Sequence, residues 1–287
     1  MKTEWPIRWD LLLRYRLIEI IAMWEGRLTT NHLCNTFGIG RQQASKDINN
    51  YIREHAPNNL EYDTRIKGYK PAPNFIPCFT AGSADEYLLL LHRNKELSDS
   101  IEQLDLQIAN TAVIPIPNRH IQPEILRPII QAARDNKRVE VDYVSLTKPD
   151  REGRIIVPHT LVFSGVRWHI RAYCEKNRDF RDFVLTRFRG EPELLEGEAP
   201  SIIDDTEWQT EVTIKLGPDP RLSKEQQAII AYDYNMEDKQ LHIHTKAALI
   251  KYQLQKLGVS SKHADDEPKA QQLVILNRDD IKDFLLA

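Results

Sequence analysis

RIIVPHTLVFSGVRWHIRAYCEKNRDFRDFVLTR, residues 154–187, is the stretch whose reading decides the fold. Its side chains alternate with a period of two, as in strands whose successive residues point to opposite faces. Within 166–174, Val166, Trp168, Ile170, Ala172 and Cys174 share one face, and Arg167, His169, Arg171 and Tyr173 share the other. The first set suits a core. The second places two guanidiniums, an imidazole and a phenol side by side, groups that grip an anion or a nucleotide. A solvated strand that carries charge against edge-to-edge pairing would look the same. This strand alone does not choose.

Toward the N-terminus the period changes to that of helices. Residues 8–25 place Leu13, Leu17, Ile20, Ile21 and Trp24 on one face, and Gly26 stops the helix. Thr29 or Thr30 caps a short second helix through Phe37, with Leu33 and Phe37 turned inward. After Gly38-Ile39-Gly40 a third helix runs from about Arg41 to His55, with Ala44, Ile48, Tyr51 and Ile52 apolar. Two short strands around Arg65-Ile66-Lys67-Gly68 follow as a wing. This order is the winged helix-turn-helix pattern. Arg41, Gln42, Gln43, Ser45, Lys46 and Asn49 lie on the polar face of the third helix and are of the types that read base edges or meet phosphates. Arg65 and Lys67 are placed to meet phosphate or minor groove beside them. A small helical bundle with a solvated face would give the same pattern.

The strand block resembles the WYL domain, named for a Trp-Tyr-Leu run. Trp168-His169-Ile170 stands at that run, with His169 in place of the central Tyr. Around it lie Tyr143, Arg154, Pro158, Arg171, Tyr173, Arg181, Phe183 and Arg187 of the family pattern. With the N-terminal region, nearly the full length is similar to WYL-type transcriptional regulators of the BrxR/CapW kind, found beside bacterial phage-defence systems. The resemblance implies an α+β multidomain chain, with a winged helix-turn-helix at 1–72 and a helical linker at 73–119. It also implies a WYL domain of Sm/SH3-like β-barrel form at 120–200, and an α/β extension at 201–287 tied to dimer formation. It implies a ligand site for a nucleotide or nucleic-acid fragment at Tyr143, Ser145, Arg154, His159, His169, Arg171, Arg181 and Arg187. An ordinary imidazole pKa near ~6.5 would give His169 a pH-dependent charge there.

The remaining segments fit that plan. Pro71-Ala72-Pro73 and Pro77 read as a stiff linker. Ser83–Asn110 returns to helix, with Leu88, Leu91, Leu97, Ile101, Leu104 and Ile108 apolar and Ser83 and Glu86 as a capping box. Such a helix can serve dimer contacts or plain intramolecular packing. Pro115, Pro117 and Pro123 follow, then a helix over Ile125–Asn136. Strands are expected at Arg138–Val144 and near 154–163, 166–174 and 182–189, curled into a small antiparallel barrel. Glu191–Glu211 holds eight carboxylates and no Lys or Arg, and reads as an exposed acidic connector without chemistry. Beyond it, strands at Glu211–Gly217, Leu241–Thr245 and Gln272–Leu276 alternate with helices at Ser223–Tyr232 and Ala247–Leu257.

Composition narrows the classes. The chain has 287 residues, 41% hydrophobic and 28% charged, an ordinary globular balance with room for two or three cores. No apolar run is long enough to span a bilayer, and the first ten residues lack a signal-peptide core. Three dispersed cysteines argue for reduced thiols and a cytoplasmic protein. The net charge of −3 conceals segregation: +3 over 1–70 and +5 over 137–189, against −8 over 190–287. Polyanions would dock at the two positive blocks. No phosphate-loop, dinucleotide, zinc-protease or nucleophile-elbow motif occurs, and no cofactor is called for. His242 and His244 share a strand face but lack a third metal ligand. No acid is evident to orient a histidine against a nucleophile, so binding is expected and catalysis is not.

The expected protein is therefore a homodimeric repressor that holds a double-stranded operator with inverted-repeat symmetry and is released by its WYL ligand. The rivals are an accessory or enzyme subunit acting on single strands and a constitutive DNA-architectural protein.

Overall fold

The computed structural model describes residues 7–98, 111–114, 116, 119–146, 149, 152–261 and 267–285. The chain divides into two units, Met1–Ile116 and Pro117–Ala287.

The first unit holds α1 (Trp9–Glu25), α2 (Thr30–Phe37), α3 (Arg41–Asn50), β1 (Leu60–Asp63), β2 (Gly68–Pro71) and α4 (Ala84–Ser98). α1 ends at Gly26, whose φ of 69° puts it in the left-handed region that closes helices at low steric cost. A capping box opens α2: Thr29 N donates to His32 Nδ1 at 3.0 Å. Tyr15, Ile18, Ile21, Leu33, Ala44, Ile48 and Tyr51 form the core that fixes α3 against α1 and α2. The third helix does not run regularly to His55. It widens at Tyr51–His55 into a π-helical turn, where Tyr51 donates to the buried Glu19 at 3.0 Å. Trp24, expected inside, is 38% exposed.

The antiparallel hairpin β1–β2 is docked on the helices. Leu28 makes an isolated antiparallel bridge to Tyr69, and Arg27 Nε donates to Ile66 O at 2.7 Å under the wing tip. The helix expected over Ser83–Asn110 is described through Ser98; Ile101, Leu104 and Ile108 lie outside the described residues, as do Pro115 and Pro117. Glu86 reaches back, but to Ala81 N and Gly82 N at 2.9 and 3.1 Å and not to Ser83 N.

The second unit begins with α5 (Pro123–Asp135), whose stripe Ile125, Ile129 and Ala132 packs on a five-stranded antiparallel sheet. The strands are β3 (Arg138–Tyr143), β4 (Glu152–Phe163), β5 (Trp168–Cys174), β6 (Asp179–Val184) and β7 (Phe188–Leu195), in the order β6-β5-β4-β3-β7. The strand expected over 182–189 is broken by a 3-10 turn, Leu185–Arg187. That turn forces curvature. A flat sheet of five strands would separate its edges by about 19 Å, four spacings of ~4.8 Å. The four steps from Val184 to Phe188 reach only about 14 Å. The sheet curls accordingly, and Val184 N donates to Tyr143 Oη across the gap at 3.1 Å. No ladder joins β6 to β7 among the described residues, so this is a curled, half-open barrel.

A second antiparallel sheet, β10-β8-β9, is built from β8 (Glu211–Pro218), β9 (Leu241–Lys246) and β10 (Leu273–Ile275). The helices α7 (Lys224–Asp233), α8 (Ile250–Lys256) and α9 (Arg278–Leu285) enclose its core of Ile214, Leu216, Ile230, Ile250, Leu254, Leu273 and Ile281. Between the sheets lies α6 (Thr206–Gln209), a single turn. Among the described residues no helix is long and apolar enough to cross a membrane, and Cys34, Cys78 and Cys174 are free thiols.

Candidate nucleic-acid interface and buried arginine cluster

Ala44, Asp47 and Ile48 turn α3 onto the core, which leaves Arg41, Gln42, Gln43, Lys46 and Asn49 exposed and Ser45 half-buried. These polar side chains form one continuous face beginning at the helix N-terminus. Gln43 is held within it: Nε2 donates to Asp47 Oδ1 at 2.7 Å, and Arg14 Nε lies 3.0 Å from Asp47 Oδ2. Its amide is oriented before any partner arrives. Arg65 and Lys67 are exposed on the wing turn, where Arg65 N donates to Asp63 Oδ1 at 2.8 Å and Lys67 adopts φ of 51°. The arrangement offers donors to base edges and cations to phosphates.

The eight expected ligand residues do not converge on one pocket. Tyr143 is a core pillar, its ring edge-on to Phe183 and Phe188 at 5.0 and 5.2 Å. Arg154 lies over that ring at 5.8 Å and pairs with Glu152 at 3.0 Å. Ser145 lies two residues past the end of β3. Arg187 is half-buried in the 3-10 turn, where its carbonyl accepts from Val144 N. Arg181 stands apart on β6, exposed and 3.7 Å from Asp179. The registers Arg154↔Val141 and Arg171↔Asp182 put these two arginines on opposite faces of the sheet, the first with the core residues.

His159, His169 and Arg171 do come together, and their face is covered. Arg171 is 3% exposed. Its Nε and Nη2 donate to Asp205 Oδ2 and Oδ1 at 2.7 and 3.0 Å, and Nη2 donates to Glu207 Oε2 at 2.8 Å. Asp182 Oδ1 lies 3.6 Å from Nη1. A β-bulge between Pro158 and Thr160 sets His159 out of register, so that its Nε2 meets Asp205 Oδ2 at 3.1 Å and its Nδ1 meets Thr160 Oγ1 at 2.8 Å. Tyr252 from α8 donates to Asp182 at 2.9 Å and packs on the His169 ring at 4.9 Å. Lys251 Nζ lies 3.2 Å from Asp182.

Asp205 and Glu207 were missed in the sequence reading, because they belong to the segment read as an exposed connector without chemistry. Glu191–Leu195 instead finishes β7, and Asp205 is 1% exposed. Asp205 also caps α6, accepting from Trp208 N at 3.1 Å. The one available signal was an acidic run directly after a basic sheet. An acid thus does orient a histidine, contrary to the sequence expectation. That carboxylate is committed to Arg171, and both partners are buried, so they do not form a working nucleophile system.

Burial would lower the Arg171 pKa, but the hydrogen bonds it donates to Asp205 and the charges of Asp182 and Asp205 more than reverse this. Burial would raise that of Asp205, and Arg171 holds it below the ordinary value. Burial lowers His159, with Asp205 offsetting part of the effect. His169 is pulled by burial down to about 4, so it stays neutral near pH 7 and does not supply the charge switch expected of an ordinary imidazole. His244 Nδ1 faces Thr213 Oγ1 at 2.9 Å and His242 Nε2 faces Gln240 Oε1 at 3.1 Å; no metal-ligating group of three occurs among the described residues.

A winged helix-turn-helix, a curled WYL-like sheet and an α/β module together define a DNA-binding transcriptional regulator. Family matches follow the same order. Residues 10–93 match the BrxR transcriptional regulator winged helix-turn-helix domain, 124–190 the WYL domain, and 211–281 the BrxR transcriptional regulator C-terminal dimerization domain. The DNA-binding transcriptional repressor CapW of Pseudomonas aeruginosa is 34% identical, over 97% of this chain and 93% of its own. Its namesakes in Stenotrophomonas maltophilia and Escherichia coli (strain KTE188) are 30% and 31% identical, over 97% and 96% of this chain and 93% and 91% of theirs. The chain belongs to the BrxR/CapW family of WYL-domain transcriptional regulators.

Proposed function

We propose that this protein is a homodimeric DNA-binding transcriptional repressor of a phage-defence operon, released when a nucleotide or nucleic-acid fragment occupies its WYL domain. The observation that carries the reading is the exposed face of Arg41, Gln42, Lys46 and Asn49 on α3, flanked by Arg65 and Lys67 on a docked wing. A helix so displayed fits a major groove, and the wing cations fit the neighbouring backbone. The repressor names of its relatives and the dimerization module support the sign and the symmetry. Two-fold pairing matches an inverted repeat with half-sites about 10 bp or a multiple apart. On this reading residues 1–72, 73–119, 120–200 and 201–287 are the DNA-binding, linking, sensing and dimerising parts.

The ligand acts through a difference in affinity between DNA-competent and released states. Footprinting on the promoter of the protein's own gene tests the proposal. A protected inverted repeat, lost on adding the inducing nucleotide or oligonucleotide, is the expected result. Binding that ignores sequence would leave only an architectural role.

A further inference from the structure

The covered face of β5 raises a question that the ligand reading must answer: how does an anion reach an arginine that is 3% exposed? Asp205 uses both oxygens, taking Arg171 Nε and His159 Nε2 on one and Arg171 Nη2 and Trp208 N on the other. A two-toothed carboxylate on a guanidinium has the geometry of a phosphate on an arginine. We propose that Asp205 and Glu207 are an internal stand-in for the phosphates of the ligand, and that sensing is an exchange of these carboxylates for phosphate at Arg171. This inference rests on the WYL ligand-sensing reading above.

Charge favours such an exchange. With Asp205 and Glu207 in place as a latch, they carry a net −1 together with Arg171, Lys251 and Asp182; without them the remaining three carry +1. The site thus becomes cationic when its own chain leaves. Glu207 is the accessible edge, its side chain 33% exposed against 1% for Asp205, so an entering phosphate meets Glu207 first. The latch is also built to let go. α6 is a single turn, too short to persist without its cap, and Ile203 beside it is 76% exposed. One residue separates α6 from β8, the central strand of the C-terminal sheet and the start of the dimerization match. Pulling Asp205 from Arg171 therefore acts directly on the first strand of the module that sets the dimer.

The test uses the full chain with two phosphate probes, ADP and a 5′-phosphorylated hexathymidylate, which separate a free nucleotide from a nucleic-acid end. Affinity is read by calorimetry and latch release by amide hydrogen exchange over 201–209. One probe is expected to bind, to raise exchange in 201–209, and to bind Glu207→Gln about five- to tenfold tighter, the loss of one charge-assisted competitor. Arg171→Gln is expected to abolish binding; if it fails to fold, Glu207→Gln still decides. Binding that leaves 201–209 protected and is unchanged in Glu207→Gln overturns the latch while the sensing reading stands. Undiminished binding to a folded Arg171→Gln does the same. If neither probe binds the parent or Glu207→Gln, the sensing reading falls and takes the latch with it.

Discussion

Glu19 and His169 are buried polar residues, one in each unit. Glu19 is fully buried on α1 and accepts from Tyr51 Oη, Cys78 N, Phe79 N, Thr80 N and Thr80 Oγ1, all within 3.0 Å. It ties the turn after α3 to the segment that leaves the wing. Glu19→Gln turns one acceptor oxygen into a donor facing other donors, and should cost about 2–4 kcal/mol of unfolding free energy in a urea titration. An unchanged midpoint would mean that the network is dispensable. His169 makes a complementary point. Its folded pKa of about 4 lies below the unfolded value near ~6.5, so the unfolded chain binds the proton more readily. Its contribution is present above pH ~6.5 and is lost as pH falls toward 4, by roughly 2–3 kcal/mol. Melting temperatures taken from pH 7 to pH 4 should fall, and His169→Phe, which keeps the ring against Tyr252, should flatten part of that slope. A slope identical in the variant would place the titration elsewhere.

At the scale of elements, the wing depends on one close approach. A Cβ on Gly68 would sit 2.8 Å from the carbonyl oxygen of Leu28, the residue that pairs with Tyr69. Gly68→Ala should push β2 off α1 and α2, weaken operator binding and leave the second unit's melting transition in place. Calorimetry with a gel-shift titration separates these outcomes, and full operator affinity would show that wing docking is not needed. Elements of this kind were legible in the sequence because their signals are local. Gly26 and Gly38 end helices, Thr29 caps one, and the two-residue alternation of 166–174 puts Ile170, Ala172 and Cys174 inside, whereas Val166 and Trp168 of the same face are 50% and 47% exposed at the hairpin end. The partners of the opposite face were not legible. Arg171 and Asp205 are 34 residues apart, and whether a charged strand face meets water or a carboxylate depends on where a later segment folds. The break at Leu185–Arg187 was missed for a related reason: Phe183 and Leu185 continue the strand pattern, and only the curl of the sheet demands a turn there. The exposed face of α3 was readable residue by residue, except that Asp47 turns inward to orient Gln43.

Over the whole molecule, symmetry multiplies what each residue does. If two copies hold one operator, each substitution is felt twice. Double-stranded DNA releases counterions as phosphates are neutralised, and each contact contributes about 0.9 to the slope of log affinity against log salt. Lys67 is exposed at the wing tip, where its backbone sits in the left-handed region and its side chain is not needed for packing. Lys67→Ala in a dimer should therefore lower the slope by about 2, weakening specific and unrelated DNA alike. Arg41→Ala should behave differently. A lost base contact costs about 1–3 kcal/mol per half-site and relaxes discrimination at one operator position, with little change in slope if Arg41 meets a base and not a phosphate. Gel-shift titrations across a salt series, with light scattering to establish two chains per duplex, measure both effects together. A slope change near 1 for Lys67→Ala would indicate a single protomer on DNA and defeat the symmetric arrangement, whereas equal losses on all sequences for Arg41→Ala would remove α3 from the role of reader.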